Sequence, residues 1–70
     1  MDIVCNVDDM TDINGTWIVS FYDSATGCSA GYDSTEFSRK LEAVSHAKTT
    51  KQYAERCEGD RMTIVIGGNG

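Results

Sequence analysis

A short acidic segment near the start of the sequence contains side chains that could bind a metal ion. Asp12, Asn14 and Gly15 occur in the order found in the middle of an EF-hand calcium loop. The first ligand position of that loop would fall on Met10, however, and the twelfth, which needs a bidentate glutamate, would fall on Phe21. Two principal ligands are therefore missing. We interpret the segment as an Asn-Gly turn with solvated acids, and we predict no metal site.

Three cysteines and one histidine could supply zinc ligands or a nucleophile with its base. Cys5, Cys28, His46 and Cys57 match no zinc-binding spacing. On one helix, His46 and Cys57 would lie about 16 Å apart along the axis. An odd number of cysteines without a Cys-x-x-Cys pair also argues against a disulfide framework. We therefore predict reduced thiols that act as small core residues, a cytoplasmic location, no cofactor and no catalytic residue, and hence no enzyme.

The last four residues, Gly67-Gly68-Asn69-Gly70, are rich in glycine. No helix or lysine follows them, so they do not form a phosphate-binding loop. A Gly-Gly tail is similar to those of ubiquitin-like modifiers and sulfur carriers, but that role would require removal of Asn69 and Gly70. We expect a single domain over residues 1–66 and a flexible tail over residues 67–70.

Charge is distributed unevenly along the chain. The formal charge is −7 over residues 1–38, which contain no lysine or arginine, and +2 over the remainder, which gives the net −5. The seven acids are Asp2, Asp8, Asp9, Asp12, Asp23, Asp33 and Glu36. Such a surface repels nucleic acid and anionic lipid and attracts basic protein surfaces. The charge therefore predicts a basic protein partner, without direct nucleic-acid or membrane binding.

Alternating apolar and polar side chains predict the strands that position these acids. The predicted strands cover residues 2–7, 16–22, 28–32 and 61–66. In the clearest one, Trp17, Val19 and Phe21 face one way. The third strand is weak because its residues are small, and an extension as far as Phe37 is an alternative. A loop over residues 8–15 and a turn at 24–27 complete the predicted β-region.

A long helix is predicted before the last strand. Its buried stripe comprises Ala43, Ala47, Thr50, Ala54 and Cys57, widened at the first turn by Phe37 and Leu41. The start is undecided between Ser34, within a capping box, and Ser38, which would leave residues 35–37 extended. Thr49-Thr50 is a candidate break, and Gly59 is a natural left-handed cap. The order β-ββ-α-β predicts a two-layer α+β domain, with a mostly antiparallel sheet of three to four strands packed on one helix.

Part of this order resembles a known pattern. Trp17-Ile18-Val19, then residues 37–44 and Ala47, are similar to small bacterial and phage domains of unknown function. Those domains have a Trp-x-Val strand, a phenylalanine, a lysine, a Glu-Ala-x-x-x-Ala helix and a final strand, and Arg39 stands where they have threonine. Similar designs recur among anti-CRISPR proteins, with which phages inhibit host CRISPR effectors. The resemblance covers approximately residues 16–66 and implies a phage or mobile-element origin.

We therefore expect a non-enzymatic acidic binding protein. Its specific form is a phage-encoded anti-CRISPR-type inhibitor in the host cytoplasm, whose acids imitate phosphates on a basic nucleic-acid-binding surface of a CRISPR effector. The expected contact residues are Asp8, Asp9, Asp12, Asp23, Asp33, Glu36, Trp17, Tyr22 and Tyr32.

Three alternatives remain open at this level. The protein could be a regulatory or assembly module that forms a homodimer through the 28–32 edge strand, or a Gly-Gly-tailed carrier. The acids could also serve only to keep a small protein in solution.

Overall fold

The computed structural model describes residues 1–67, and it confirms the predicted α+β class. The elements are β1 (Asp2–Met10), β2 (Thr16–Asp23), β3 (Thr35–Phe37), α1 (Lys40–Tyr53), a π-helical turn (Ala54–Glu58) and β4 (Arg61–Gly67). Gly67 is therefore the last residue of a strand, whereas the rest of the predicted tail, from Gly68 onward, lies outside the described residues.

The four strands form one mixed sheet in the order β3-β2-β1-β4. β1 pairs antiparallel with β2 and parallel with β4, and β3 pairs antiparallel with β2. The sequence alone does not determine the direction of the last strand. Because the helix carries the chain back along the sheet, β4 runs in the same direction as β1. The first strand of the chain is thus an inner strand, and β3 and β4 are the edges.

The buried side chains of the strands confirm the predicted alternation of apolar and polar residues. The buried side chains are Ile3, Cys5, Val7, Val19, Phe21 and Met62 from the sheet, and Ala43, Ala47 and Ala54 from the helical layer. A large apolar side chain removed from water in this way contributes about 1.5–3 kcal/mol. Because the side chains of these alanines are small, α1 can lie close to the sheet.

The helix differs from its prediction at both ends of the stripe. It begins at Lys40, so residues 35–37 are extended and the alternative with the later start is the nearer one. Leu41 is 81% exposed, and Cys57 is exposed in the π-helical turn, so neither belongs to the core. The π-helical turn is wider than an α-turn and changes which residues face the sheet, which the regular spacing did not anticipate. Thr49 and Thr50 do not break the helix.

The predicted return strand over residues 28–32 is wrong. Only Ser29 forms a bridge, to Tyr22, and Gly31 has a left-handed φ of 88° that is incompatible with a regular strand. The strand that pairs with β2 lies further along the chain, at Thr35–Phe37, which is the last part of the alternative extension to Phe37. Its side chains are larger than the Ser-Ala-Gly sequence of the predicted strand, and Phe37 packs against the core.

Candidate interaction surfaces

The sheet face opposite the helix, here called the open face, is a broad surface on which no helix or strand of residues 1–67 lies. The register gives its central members as Val4, Asn6 and Asp8 of β1, Ile18, Ser20 and Tyr22 of β2, and Thr63 and Val65 of β4. Val65 is 44% exposed. The face mixes apolar and polar groups, so it could contact another protein without being a strongly apolar patch.

Four of the predicted acids meet at one end of the sheet, around the turn between β1 and β2. We call Asp8, Asp9, Asp12 and Glu36 the acidic tip. Asp8 and Glu36 lie in one row of the open face, on either side of Ile18. Asp9 follows on the helix side of β1, and Asp12 lies in the turn. The tip therefore brings together acids that are up to 28 positions apart in the sequence.

Asp9 is held by local hydrogen bonds. Its Oδ1 accepts bonds from the backbone N–H of Thr11, at 3.0 Å, and from the Thr11 hydroxyl. These bonds, chiefly the hydroxyl one, and the charge of Lys40 hold the pKa of Asp9 below its usual range. Asp9 therefore fixes the start of the turn and stays charged.

The other three predicted acids do not join the tip. Asp2 and Asp23 lie at the opposite end of the sheet, and Asp33 lies in the segment before β3. Asp2 and Asp8 are separated by about 20 Å along β1 at the usual rise per residue. The seven acids are therefore divided between the tip, the opposite end of the sheet and the segment before β3.

The tip acids carry no direct counter-ion. Among residues 1–67, one ion pair has its charged atoms within 4 Å of each other. It joins the N-terminal ammonium to Oδ1 of Asp60, at 3.4 Å. Lys40 acts on Asp9 only from beyond ion-pair distance, so no lysine or arginine of residues 1–67 forms an ion pair with a tip carboxylate.

The three aromatic residues predicted to contact a partner are all half-buried. The Nζ atom of Lys40 lies 5.7 Å from the centroid of the Trp17 ring. Tyr22 lies on the open face opposite Val4. Tyr32 packs against Phe21 with ring centroids 5.5 Å apart, so it supports the core more than it presents a free surface.

A residue that the sequence reasoning missed is Ile13. Its side chain is 76% exposed at the turn of the acidic tip, next to Asp12. The turn is closed by hydrogen bonds from Ile13 and Asn14 to the Met10 carbonyl. The sequence does contain a sign of this exposure: Ile13 is a lone apolar residue between Asp12 and Asn14, and it is not part of the apolar alternation of β1 or β2.

The cysteines and the histidine do not come together as a catalytic pair. His46 packs against Phe37 and Phe21, with ring centroids at 5.2 and 6.4 Å. No hydrogen bond within the described chain joins it to a thiol. Cys5 is buried, which raises its pKa to about 11, and a thiol with that pKa is a poor nucleophile at neutral pH.

No group of three or more metal-ligating side chains occurs in residues 1–67. No helix in this part of the chain has the length and apolar character needed to cross a membrane. The carrier hypothesis depends on Asn69 and Gly70, which lie outside the described residues.

Comparison of the chain with protein-family models, with curated proteins and with solved structures gives no match in any of the three. The functional argument therefore depends on the surfaces themselves.

Proposed function

We propose that the protein is a non-enzymatic binding module that docks its acidic tip on a basic surface of another protein. The observation that carries this proposal is the exposed Ile13 beside Asp12 in the turn of the acidic tip, whose carboxylates have no lysine or arginine of residues 1–67 within ion-pair distance. Desolvated apolar side chains supply much of the affinity of an interface, and surrounding charges set its specificity and association rate. Ile13 would be the apolar anchor, and the tip acids would select a cationic rim.

The specific form of the proposal is an anti-CRISPR-type inhibitor encoded by a phage. Grooves that grip guide RNA or target DNA are lined by lysine and arginine, which neutralise phosphates. Carboxylates on a rigid strand end could occupy such a groove and exclude the nucleic acid. Asp8 and Glu36 lie in one row of strand pairs, on either side of Ile18, which presents their charges in a fixed arrangement.

The general proposal is tested by affinity capture from a bacterial lysate, followed by titration of the purified partner. Asp12→Lys and Ile13→Ala should each weaken binding at least tenfold, and binding should fall with rising salt. Asp33→Lys is the matched control, because it makes the same charge change away from the tip and should leave affinity unchanged. Equal effects of the two lysine variants would show that net charge, and not the tip, matters.

The specific form needs its own experiment. DNA binding and cleavage by purified CRISPR effectors are measured with increasing amounts of the protein. Inhibition that is lost in the Asp12→Lys variant supports the proposal. Unchanged activity across effectors of each type would remove the anti-CRISPR form and leave the general one standing.

A further inference from the structure

A cavity of about 530 Å³ lies at the end of the sheet where β4 begins, opposite the acidic tip. Its wall includes Tyr32 from the segment after β2, Tyr53 from the end of α1, and Glu58 and Asp60 on either side of the Gly59 turn. Cavities that bind small molecules commonly measure about 300–1,000 Å³. The cavity is therefore large enough for a small organic ligand.

The charged groups of this wall are predominantly negative. The N-terminal ammonium of Met1, which also lines the cavity, lies 3.4 Å from Oδ1 of Asp60. Glu58 is exposed, and no ion pair within 4 Å joins it to a lysine or arginine of residues 1–67. Two carboxylates and one ammonium give the wall a formal charge of −1. The cavity therefore attracts a cation and repels an anion.

The two tyrosine rings add a second attraction for an organic cation. Tyr32 is held in place, since its ring packs on Phe21 and its hydroxyl donates to Oδ2 of Asp60 at 3.3 Å. Tyr53 is 53% exposed at the end of α1, so its ring is accessible to a ligand. A tyrosine ring attracts an ammonium group through the negative charge of its face, and it also contacts alkyl chains.

The fields of the two acids meet at Tyr32. Partial burial, then the hydrogen bond to Asp60 and its charge, and then the charge of Glu58 raise the pKa of Tyr32. Both carboxylates thus lie close enough to act on one hydroxyl. A single cationic group beside Tyr32 is therefore attracted by both acids.

We propose that this cavity binds an alkylammonium group, carried either by a free amine or by a lysine side chain of another protein. The carboxylates of Glu58 and Asp60 accept its N–H groups, and the rings of Tyr32 and Tyr53 contact the methylene groups next to the nitrogen. A carboxylate oxygen can accept more than one hydrogen bond, so Asp60 can bind the ligand and keep its contacts with Met1 and Tyr32.

A metal ion fits this wall less well than an organic cation. Calcium takes about six to eight oxygen ligands, and no group of three or more metal-ligating side chains occurs in residues 1–67. The site does not depend on the proposed function of the acidic tip, because Asp8 and the residues around Asp60 lie at opposite ends of the pairing between β1 and β4.

Nuclear magnetic resonance of the ¹⁵N-labelled protein tests the site, with n-butylammonium chloride as the probe. Saturable shifts should be largest at the backbone amides of Tyr32, Tyr53, Glu58 and Asp60. n-Butanol, which has the same alkyl chain without the charge, and sodium chloride should give no saturable shift there. Absence of saturation up to about 100 mM butylammonium, or equal shifts with n-butanol, would overturn the proposal.

A blocked peptide, acetyl-Gly-Lys-Gly-amide, distinguishes the two sources of the ammonium group. Binding as tight as that of butylammonium assigns the site to lysine side chains, whereas binding of butylammonium alone assigns it to free amines. Acetylation of the peptide lysine removes the charge and should abolish any binding of the peptide.

Matched variants test the two parts of the wall. Glu58→Gln should weaken butylammonium binding about fivefold because it removes a negative charge, whereas Glu55→Gln, in the same π-helical turn but outside the wall, should leave it unchanged. Tyr53→Leu should weaken binding about threefold, and Tyr53→Phe should not, since phenylalanine keeps the ring. Equal affinities within either pair of variants would contradict the site, and circular dichroism checks that each variant is folded. Asp12→Lys should leave binding intact, so failure of the tip and failure of this site can be told apart.

Discussion

The Tyr32 hydroxyl donates a hydrogen bond of 3.3 Å to Oδ2 of Asp60. This contact joins the irregular segment after β2 to the residue that precedes β4. The other carboxylate oxygen of Asp60 pairs with the N-terminal ammonium. One acid therefore links the irregular segment after β2 to the two ends where the pairing of β1 with β4 begins.

Tyr32→Phe removes this hydrogen bond and keeps the ring that packs on Phe21. We expect the free energy of unfolding to fall by about 0.5–1.5 kcal/mol, the usual net value of one hydrogen bond. Urea unfolding followed by Trp17 fluorescence measures it. Tyr22→Phe is the control, since no hydrogen bond to the Tyr22 hydroxyl occurs among the described residues. A larger loss in that variant would contradict the assignment.

An alkaline titration should detect the raised pKa of Tyr32. Partial burial, then the hydrogen bond to Asp60 and the negative charge of Asp60, raise the pKa of Tyr32 above its usual range. The folded protein holds this proton more tightly than the unfolded chain. The stability from this effect is therefore complete below about pH 10 and is lost as the pH rises through the folded pKa. Phenolate absorbance should show a late-ionising group that is missing in Tyr32→Phe.

The three thiols should differ in reactivity. Cys28 and Cys57 are exposed, whereas Cys5 is buried and its pKa is raised to about 11. Iodoacetamide at pH 8 should modify the two exposed cysteines at least tenfold faster than Cys5, because the thiolate is the reacting form. Peptide mapping by mass spectrometry gives the rates. In urea all three should react alike, and equal rates without urea would contradict the buried position.

The close approach of α1 to the sheet predicts intolerance of larger residues. Ala47 has no exposed surface, so Ala47→Leu should lower the free energy of unfolding by about 1–3 kcal/mol through overpacking. Ser45→Leu, on the exposed side of the same helix, is the control and should change it by less than about 0.5 kcal/mol. Urea unfolding of the two variants decides, and equal losses would place the helix further from the sheet.

Gly59 ends the helical layer with φ 69° and ψ 17°, in the left-handed region. A Cβ at this position would meet no atom within 4 Å, so the effect of Gly59→Ala should come from backbone strain alone. We expect a loss of about 1 kcal/mol. Gly59→Asn should lose less, because asparagine tolerates this conformation. Thermal unfolding compares the two, and an alanine variant as stable as the parent would contradict the cap.

The regular spacing of apolar residues in the sequence made most of the fold predictable. The alternation of Trp17, Val19 and Phe21 determines one face of β2, and the alanine spacing determines the face of α1. Gly59 is also recognisable because few other residues adopt its conformation. These signals are local, and the two periodic ones are repeated over several residues.

Features that depend on distant pairing were not predictable. The direction of β4 relative to β1 depends on the crossover, and the choice of Thr35–Phe37 over residues 28–32 depends on which segment covers the core. The exposure of Cys57 follows from a change of helical turn that no residue type signals. The net charge follows from the sequence, but only the strand register shows that Asp2 and Asp8 lie at opposite ends of the sheet.

The parallel pairing of β1 with β4 has a consequence for how the chain acquires its structure. Arg61 pairs with Asp2, 59 positions earlier in the chain. Contacts so distant in sequence slow folding, because much of the entropy cost of closing the loop precedes the gain from the contact. During synthesis, β1 and β2 can form a hairpin early. The other edge of β1 has no strand partner until the residues of β4 leave the ribosome. The nascent chain is therefore most exposed to misassociation just before its last strand arrives.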